Sequence, residues 1–363
     1  MSKLISIGTA TPEFEINQMD IHAFMDVIYD GTIEEKRRLK LLYERSGINK
    51  RFSVIPDYDT QLKERTLYAQ TKNLEPFPSI ELRMAKYQQK AAPLAVNASH
   101  QAFQNSSFLP QQVTHLITVS CTGMSAPGLD LEVMELLNLP NYTERTSVNF
   151  MGCYAAVHAL KQADAICNSR PNACVLIVCV ELCTLHFQKT KDYDNLTANA
   201  IFGDGAAACI VVSDELDTHS QSASIQSFYS EVHASGKQDM AWQVSSTGFL
   251  MTLSAYIPQL IESNIDQLLQ HALGKYGISQ NEIAGWAIHP GGRKIVEVIA
   301  SKLQLKQDDV KHSYQVLHDY GNMSSPTILF VLKQMLEDNT LKGNIFGAAF
   351  GPGLTMETFL IHK

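Results

Sequence analysis

The chain has 363 residues, 45% hydrophobic and 18% charged, with a formal net charge of −8 from 29 basic and 37 acidic side chains. That is the composition of a globular protein with a sizeable core, long enough for two domains or one duplicated one. The acidic balance excludes an overall basic footprint for nucleic acid, and the longest apolar run, residues 173–180, is too short to cross a bilayer. The amino-terminal stretch MSKLISIGTATPEF has neither the apolar core nor the cleavage site of a secretory signal. The expectation is a cytoplasmic protein with neither a nucleic-acid nor a membrane partner.

The first distinctive segment is EEKRRLKLLYERSGINKR, residues 34–51, which carries seven basic side chains: Lys36, Arg37, Arg38, Lys40, Arg45, Lys50 and Arg51. Leu39, Leu42 and Tyr43 give it an apolar stripe, so one reading is a solvated amphipathic helix. The other is a clamp for phosphates, since such a basic cluster is unusual in an acidic chain. Residues 79–105 then carry a helical pattern, and His115–Ser120 reads as a strand. Val148 and Phe150 alternate like a strand, and residues 153–168 turn helical, with Cys153 at the change of pattern. Residues 173–180 and 206–212 read as further buried strands. This alternation predicts α/β layers with largely buried sheets.

The seven cysteines are odd in number and follow no secretory segment, so a disulfide framework is not expected. Cys167, Cys174, Cys179 and Cys183 cluster without any Cys-x-x-Cys pair, and ACVLIVCV has the look of a buried strand. There a free cysteine behaves as a small hydrophobe, which favours packing over a metal site.

The plan of the chain occurs twice. FMGCYAAVHALKQA in the first part is echoed by DYGNMSSPTILFVLKQM in the second, and GAAACIVVSD by NIFGAAFGPGLTMETFLI. Two related halves are expected, 1–220 and 221–363, dividing between residues 213 and 226.

Three residues carry candidate chemistry. Cys153 stands at a helix start, where free amides and the helix dipole lower a thiol's pKa; Gly152 before it permits a tight turn and close approach of a substrate. His289 ends the strand of GWAIHPGGRKI beside a glycine-rich loop, where α/β sheets place their chemistry. Asn322 in YGNMSSP is expected at the start of the second-half helix, the position Cys153 holds in the first. Taken singly, each also has an ordinary structural reading: a buried thiol, a satisfied histidine, an N-cap. Together, a thiolate can accept an acyl group, and an imidazole and a carboxamide can both donate to a carbonyl oxygen becoming an enolate. Such a site decarboxylates a malonyl thioester without metal or cofactor.

These residues match a family. GCYAA around Cys153, FGDGAAA from 202, HPGGRKI from 289, YGNMSSP from 320 and FGPGLTMET from 350 resemble the type III polyketide synthases, relatives of chalcone synthase in the thiolase superfamily. The resemblance implies a five-layer αβαβα fold and a homodimer. It also implies iterative condensation of malonyl-CoA onto an acyl-CoA starter held on Cys153, then cyclisation to a pyrone, resorcinol or phloroglucinol. It assigns His289 and Asn322 to polarising the malonyl thioester and Phe202 to gating the CoA tunnel. Arg38 and Arg45 fall where the family contacts CoA phosphates; a third such position is Leu41, so the expectation is either substitution by Lys40 or Lys50 or weaker CoA binding. Gly351 and Gly353 are expected to let backbone approach the site, and Ser324 to contact substrate. Cys121, His186, Trp242 and Met251 are expected in the pocket wall, where they depart from the plant enzymes, as does Ala126 at the position of a methionine that enters the partner's cavity. A ketoacyl-carrier-protein synthase III, stopping after one condensation, shares the trio and is the alternative. A papain-like protease shares only the order Cys, His, Asn and lacks its Cys-Gly-Ser-Cys-Trp signature.

Overall fold

Alternate residues of one buried strand face two different hydrophobic cores, and that fact organises the whole molecule. The structure is a computed structural model and describes residues 2–363 except 60–63, 217–221, 234, 235, 238 and 255. The expected division at 220/221 therefore lies outside the described residues. In chain order the first part holds β1 (Ser2–Ala10), β2 (Phe14–Asn17), α1 (Gln18–Ile28), α2 (Ile33–Glu44), β3 (Lys50–Ser53), α3 (Ile80–Gln104), β4 (His115–Ser120), α4 (Leu129–Leu136), β5 (Glu144–Asn149), α5 (Ala155–Ser169), β6 (Cys174–Leu182), α6 (Tyr193–Ile201) and β7 (Asp204–Ser213). The second holds β8 (Ala223–Val232), β9 (Met240–Ser245), β10 (Gly248–Leu253), α7 (Ile257–Tyr276), β11 (Ile283–Ile288), α8 (Arg293–Lys302), α9 (Lys311–Tyr320), α10 (Thr327–Glu337), β12 (Asn344–Gly351) and β13 (Thr355–His362).

Nine strands run in the order β11-β12-β13-β8-β1-β7-β6-β4-β5. The two parts of this sheet meet at β1 and β8, which pair over only three residues, Ser2 to Leu4 against Ile225 to Ala223. On β6, Cys174, Leu176, Val178 and Val180 join an outer core against α1–α3. Val175, Ile177 and Cys179 join an inner core built on α5 and α10. On β12, Ile345 and Ala349 face that inner core, while Phe346, Ala348 and Phe350 face a third one with α7 and α8. Two sheet regions thus lie between three helix layers, giving the αβαβα order. Strands buried on both faces read as continuous apolar runs, which is why 173–180 and 206–212 stand out in the sequence. The same pleat sends Cys174 to the outer core and Cys179 to the inner one, which Cys167 joins from α5.

The basic segment departs from the expected single helix. It opens on a capping box, with Thr32 accepting from the Glu35 amide and Glu35 from the Thr32 amide, and the helix ends at Glu44. Its remainder turns into β3, paired with β2.

Candidate active site

The loop between β5 and α5 carries Cys153 into the interior. Phe150 and Gly152 both take positive φ, 58° and 81°. A Cβ on Gly152 would stand 2.2 Å from Pro352 Cδ, so only glycine lets the loop pass beneath the 350–354 segment. Cys121, at the end of β4, secures the same turn: its Sγ accepts from the Gly152 amide at 3.0 Å. From the other side comes Gly351, whose Cβ position lies 3.4 Å from the Cys153 amide and 2.6 Å from the Tyr154 ring. The absence of a side chain at Gly351 is what brings that backbone beside the thiol. Gly353 does not share this role. It turns the chain with a φ of 76°, and its Cβ position meets nothing nearer than Thr355 Oγ1 at 3.9 Å.

Asn322 belongs to the turn between α9 and α10, not to a helix start; α10 begins at Thr327 with Pro326 as its N-cap. Its Oδ1 accepts from the Ser324 amide at 2.8 Å and from Thr327 Oγ1 at 3.4 Å. These bonds fix the amide orientation and hold Ser324 at a φ of 59°. Asn322 Nδ2 gives one proton to Gly291 O at 3.2 Å, which leaves its second donor for the cavity. Ser324 Oγ lies 3.5 Å from Cys153 Sγ, and the Asn322 side chain is also within bonding reach of that sulfur. The Gly291 that accepts from Asn322 sits against the His289 ring, its Cβ position 3.8 Å from Nε2. Cys153, His289, Asn322 and Phe202 all line one cavity.

Two histidines share this cavity and differ in their bonds. His186 is buried and satisfied: Nε2 donates to Thr122 O at 2.7 Å, and Nδ1 accepts from the Phe249 amide at 3.1 Å. Its ring stacks on Phe249, 4.2 Å between centroids. Burial pushes its pKa down to about 3, so it is a neutral wall residue. His289 is 1% exposed, and neither of its ring nitrogens has a partner among the described residues. A buried polar group left unpaired costs free energy and marks a place where something else is meant to bond. Burial likewise pushes His289 down to about 3, so its imidazole is neutral.

At the half-buried Cys153 thiol, desolvation works against the expected lowering of the pKa. Burial pushes Cys153 up to about 11, although hydrogen bonds from Ser324, Asn322 and its own amide oppose the rise. Loss of hydration outweighs the helix start. The nearby Glu181 carboxylate adds to the rise. Glu181, which the sequence reading missed, is itself pushed up to about 7 by burial. It accepts from the Cys121 amide at 2.9 Å, Thr122 Oγ1 at 2.8 Å and Ser325 Oγ at 2.7 Å, tying the turn after β4 to the approach of α10.

Trp242 and Met251 stand opposite each other on the β9–β10 hairpin and line the cavity, Trp242 Nε1 donating to Cys121 O at 2.7 Å. Phe249, on the same hairpin, was not anticipated; it packs edge-on to Trp242 at 5.8 Å. The FGDG motif is explained by Asp204, whose carboxylate accepts from the amides of Val54 and Thr184 at 2.9 and 2.8 Å. Beyond Phe202 the cavity continues between α1, α2 and α6, past Ile21, Met25, Tyr43 and Tyr58, a compartment no motif announces.

The basic segment is mostly engaged elsewhere. Lys36 pairs with Asp26, Arg38 with Glu34, Lys40 with Glu44 and Lys50 with Glu15. Arg51 is 4% exposed and so faces no solvent-borne phosphate. Arg37 and Arg45 remain exposed on α2 and at its end. Neither Arg38 nor Arg45 lines the cavity. Gly47, two residues after Arg45, packs on the Arg293 side chain at the start of α8, so this end of α2 adjoins the 289–293 loop.

Two sheet regions between three helix layers, with a thiol from the first part and an imidazole and a carboxamide from the second on one cavity, define a thiolase-type condensing enzyme. Residues 1–215 match the family model "Chalcone and stilbene synthases, N-terminal domain" and residues 223–363 the corresponding C-terminal domain. The chain belongs to the chalcone and stilbene synthase family: it is a type III polyketide synthase, an acyltransferase. It is 29% identical over 361 residues to the alpha-pyrone synthesis polyketide synthase-like Pks18 of Mycobacterium tuberculosis, covering 98% of this chain and 89% of that protein. Among solved structures, PKS-I of the brown alga Ectocarpus siliculosus superposes with a TM-score of 0.93 at 26% identity, covering 100% of this chain and 98% of that one. The C-terminal type III polyketide synthase domain of Steely1 from Dictyostelium gives 0.92 at 26% identity, with 100% and 99% covered. Among the described residues no helix is long and apolar enough to cross a membrane.

Proposed function

We propose that the enzyme condenses malonyl-CoA iteratively onto an acyl-CoA starter carried by Cys153. The observation that supports this best is His289, buried against the same cavity as Cys153 and Asn322 with both nitrogens unpaired. In the first step Sγ attacks the starter carbonyl, the thiol proton leaves with coenzyme A, and an acyl thioester remains on Cys153. Burying a thiolate alone or an imidazolium alone is unfavourable here. Passing the thiol proton to His289 creates both at once as a neutral pair, whose mutual attraction offsets part of that cost. In the second step malonyl-CoA loses carbon dioxide, and the electron pair collects on the thioester oxygen as an enolate. His289 and the second Asn322 proton hydrogen-bond that oxygen. The enolate carbon then attacks the acyl thioester, forming the new carbon–carbon bond and expelling Cys153 sulfur. The tetrahedral oxyanion of that attack falls to the Cys153 amide, beside Gly351. No metal or cofactor enters the scheme.

Phe202 serves as the gate, excluding water from the enolate. Arg45, exposed where α2 meets the 289–293 loop, is the better placed of the two expected CoA contacts; Arg38 must first leave Glu34. An alpha-pyrone is the favoured product, by likeness to Pks18. We also propose the two related halves, a cytoplasmic setting and a homodimer. All seven cysteines are free, as a reducing compartment maintains. The dimer has a candidate surface in β5, which among the described residues pairs only with β4 and presents Glu144–Ser147 exposed.

A product assay tests the reading. With malonyl-CoA and a series of acyl-CoA starters, the expected result is more than one carbon dioxide per starter and pyrones detected by mass spectrometry. A strict one-to-one ratio ending in a β-ketoacyl product contradicts it and favours the single-condensation alternative.

A further inference from the structure

The last turn of α6 ends buried, and its carbonyls must be satisfied by something other than the helix. Four consecutive ones are accounted for. Asn199 O accepts from Arg51 Nη1 at 2.9 Å, and Ala200 O from Gln18 Nε2 at 2.7 Å. Ile201 O accepts from the Asn322 amide at 2.9 Å. Phe202 O accepts from Arg51 Nη1. Gly203 then donates back to Asn322 O at 2.9 Å, so Phe202 and Asn322 are joined as a parallel bridge. Arg51 is locked in turn by Gln18, whose Oε1 accepts from Nε at 2.9 Å. Against Arg51 lies Gly321, where a Cβ would come within 2.8 Å of the arginine Cδ. A cationic fork at the carboxyl end of a helix is favoured by the dipole as well as by the bonds.

We propose that Arg51, supported by Gln18, is a positioning residue that holds the Phe202 gate and the Asn322 donor in register. Arg51 borders the same cavity, but its Nε and Nη1 are committed to Gln18 and to the carbonyls of Asn199 and Phe202. It acts by fixing one short strap, residues 199–203, which carries the Phe202 ring and is bonded through Ile201 O and the Gly203 amide to the backbone of Asn322. Cys153 enters from the β5–α5 loop, and among the described residues its side-chain bond is to Ser324, not to this strap. The inference rests on the roles given above to Phe202 and Asn322, and it predicts that loading and condensation respond differently to the same change.

The test compares Arg51→Lys and Gln18→Met with the parent in three measurements. These are acylation of Cys153 by starter alone, kcat and KM for malonyl-CoA, and carbon dioxide released per carbon–carbon bond formed. Misplacing a reacting group by about an ångström costs on the order of 100-fold in rate. The expected result for Arg51→Lys is acylation within about twofold of the parent, kcat about 10- to 100-fold lower, and more carbon dioxide per bond formed. Gln18→Met, which leaves the guanidinium in place, is expected to shift the same ratios by about threefold. It carries the test if Arg51→Lys does not fold. Equal losses in acylation and condensation, or an unchanged carbon dioxide ratio in the folded variants, overturn the proposal. If the parent itself releases no carbon dioxide from malonyl-CoA, the functional reading fails first, and that result is distinct from the other two.

Discussion

Cys153→Ala abolishes polyketide formation, by at least about 10³-fold in kcat, while carbon dioxide is still released from malonyl-CoA at a measurable rate. The split follows from where each group is held. The sulfur is needed to accept the starter; the Cys121 thiol at the same turn is buried and already accepts from the Gly152 amide. Decarboxylation uses the Asn322 side chain, which takes its orientation from Ser324, Thr327 and Gly291, not from Cys153. Alanine removes the sulfur's contacts with Ser324, at 3.5 Å, and with the Asn322 amide, but the bonds that orient Asn322 remain, so the donors keep their places. Labelled malonyl-CoA with trapping of released carbon dioxide measures one half of the prediction, and product mass spectrometry the other. Full-length polyketide from the alanine variant would remove Cys153 from its role.

Asn322→Ala is expected to have the opposite signature. Starter still loads on Cys153, but decarboxylation falls by about 10²- to 10³-fold, the usual consequence of losing one enolate or oxyanion donor. The backbone bridge to Phe202 does not depend on the side chain, so the gate stays in place. The cost to the fold comes from the Ser324 amide, which is buried and loses its acceptor, about 1–3 kcal/mol. Asn322→Asp offers a contrast. It keeps an acceptor for Ser324 but puts an oxygen where Nδ2 donates, and an anion there repels the enolate. Its decarboxylation is expected to be as low as that of the alanine variant. Carbon dioxide release undiminished in both would remove Asn322 from the scheme.

Much of this site was legible because it is written in short motifs. The change from period two to helical period around residue 153 marks a strand–helix junction, and the structure has one there. The strands at 173–180 and 206–212 were evident because both faces are buried. What the sequence could not show is depth. A helix start can be read from the pattern, but the burial that raises the Cys153 thiol comes from walls contributed by distant segments. The same blindness misread Arg51: within a run of seven basic residues it looks like a surface charge, and only the pairing of β3 with β2 turns it inward. Asn322 was placed on a helix because YGNMSSP precedes one; the left-handed Ser324 delays the helix to Thr327. Phe249 was missed because the alternation of GFLMTL gives no hint of which face meets the His186 ring. His186 and His289 are indistinguishable in type and burial, and only their bonding partners separate a wall from a reactive group.

The central claim is that one sulfur carries the growing chain, and three thiols line the cavity: Cys121, Cys153 and Cys183. Incubating the enzyme with an acyl-CoA alone, then digesting it and mapping the acyl group by mass spectrometry, decides among them. The expected result is one acyl group per chain, on the peptide containing Cys153. An acyl group on Cys121 or Cys183, or none on any thiol, would contradict it.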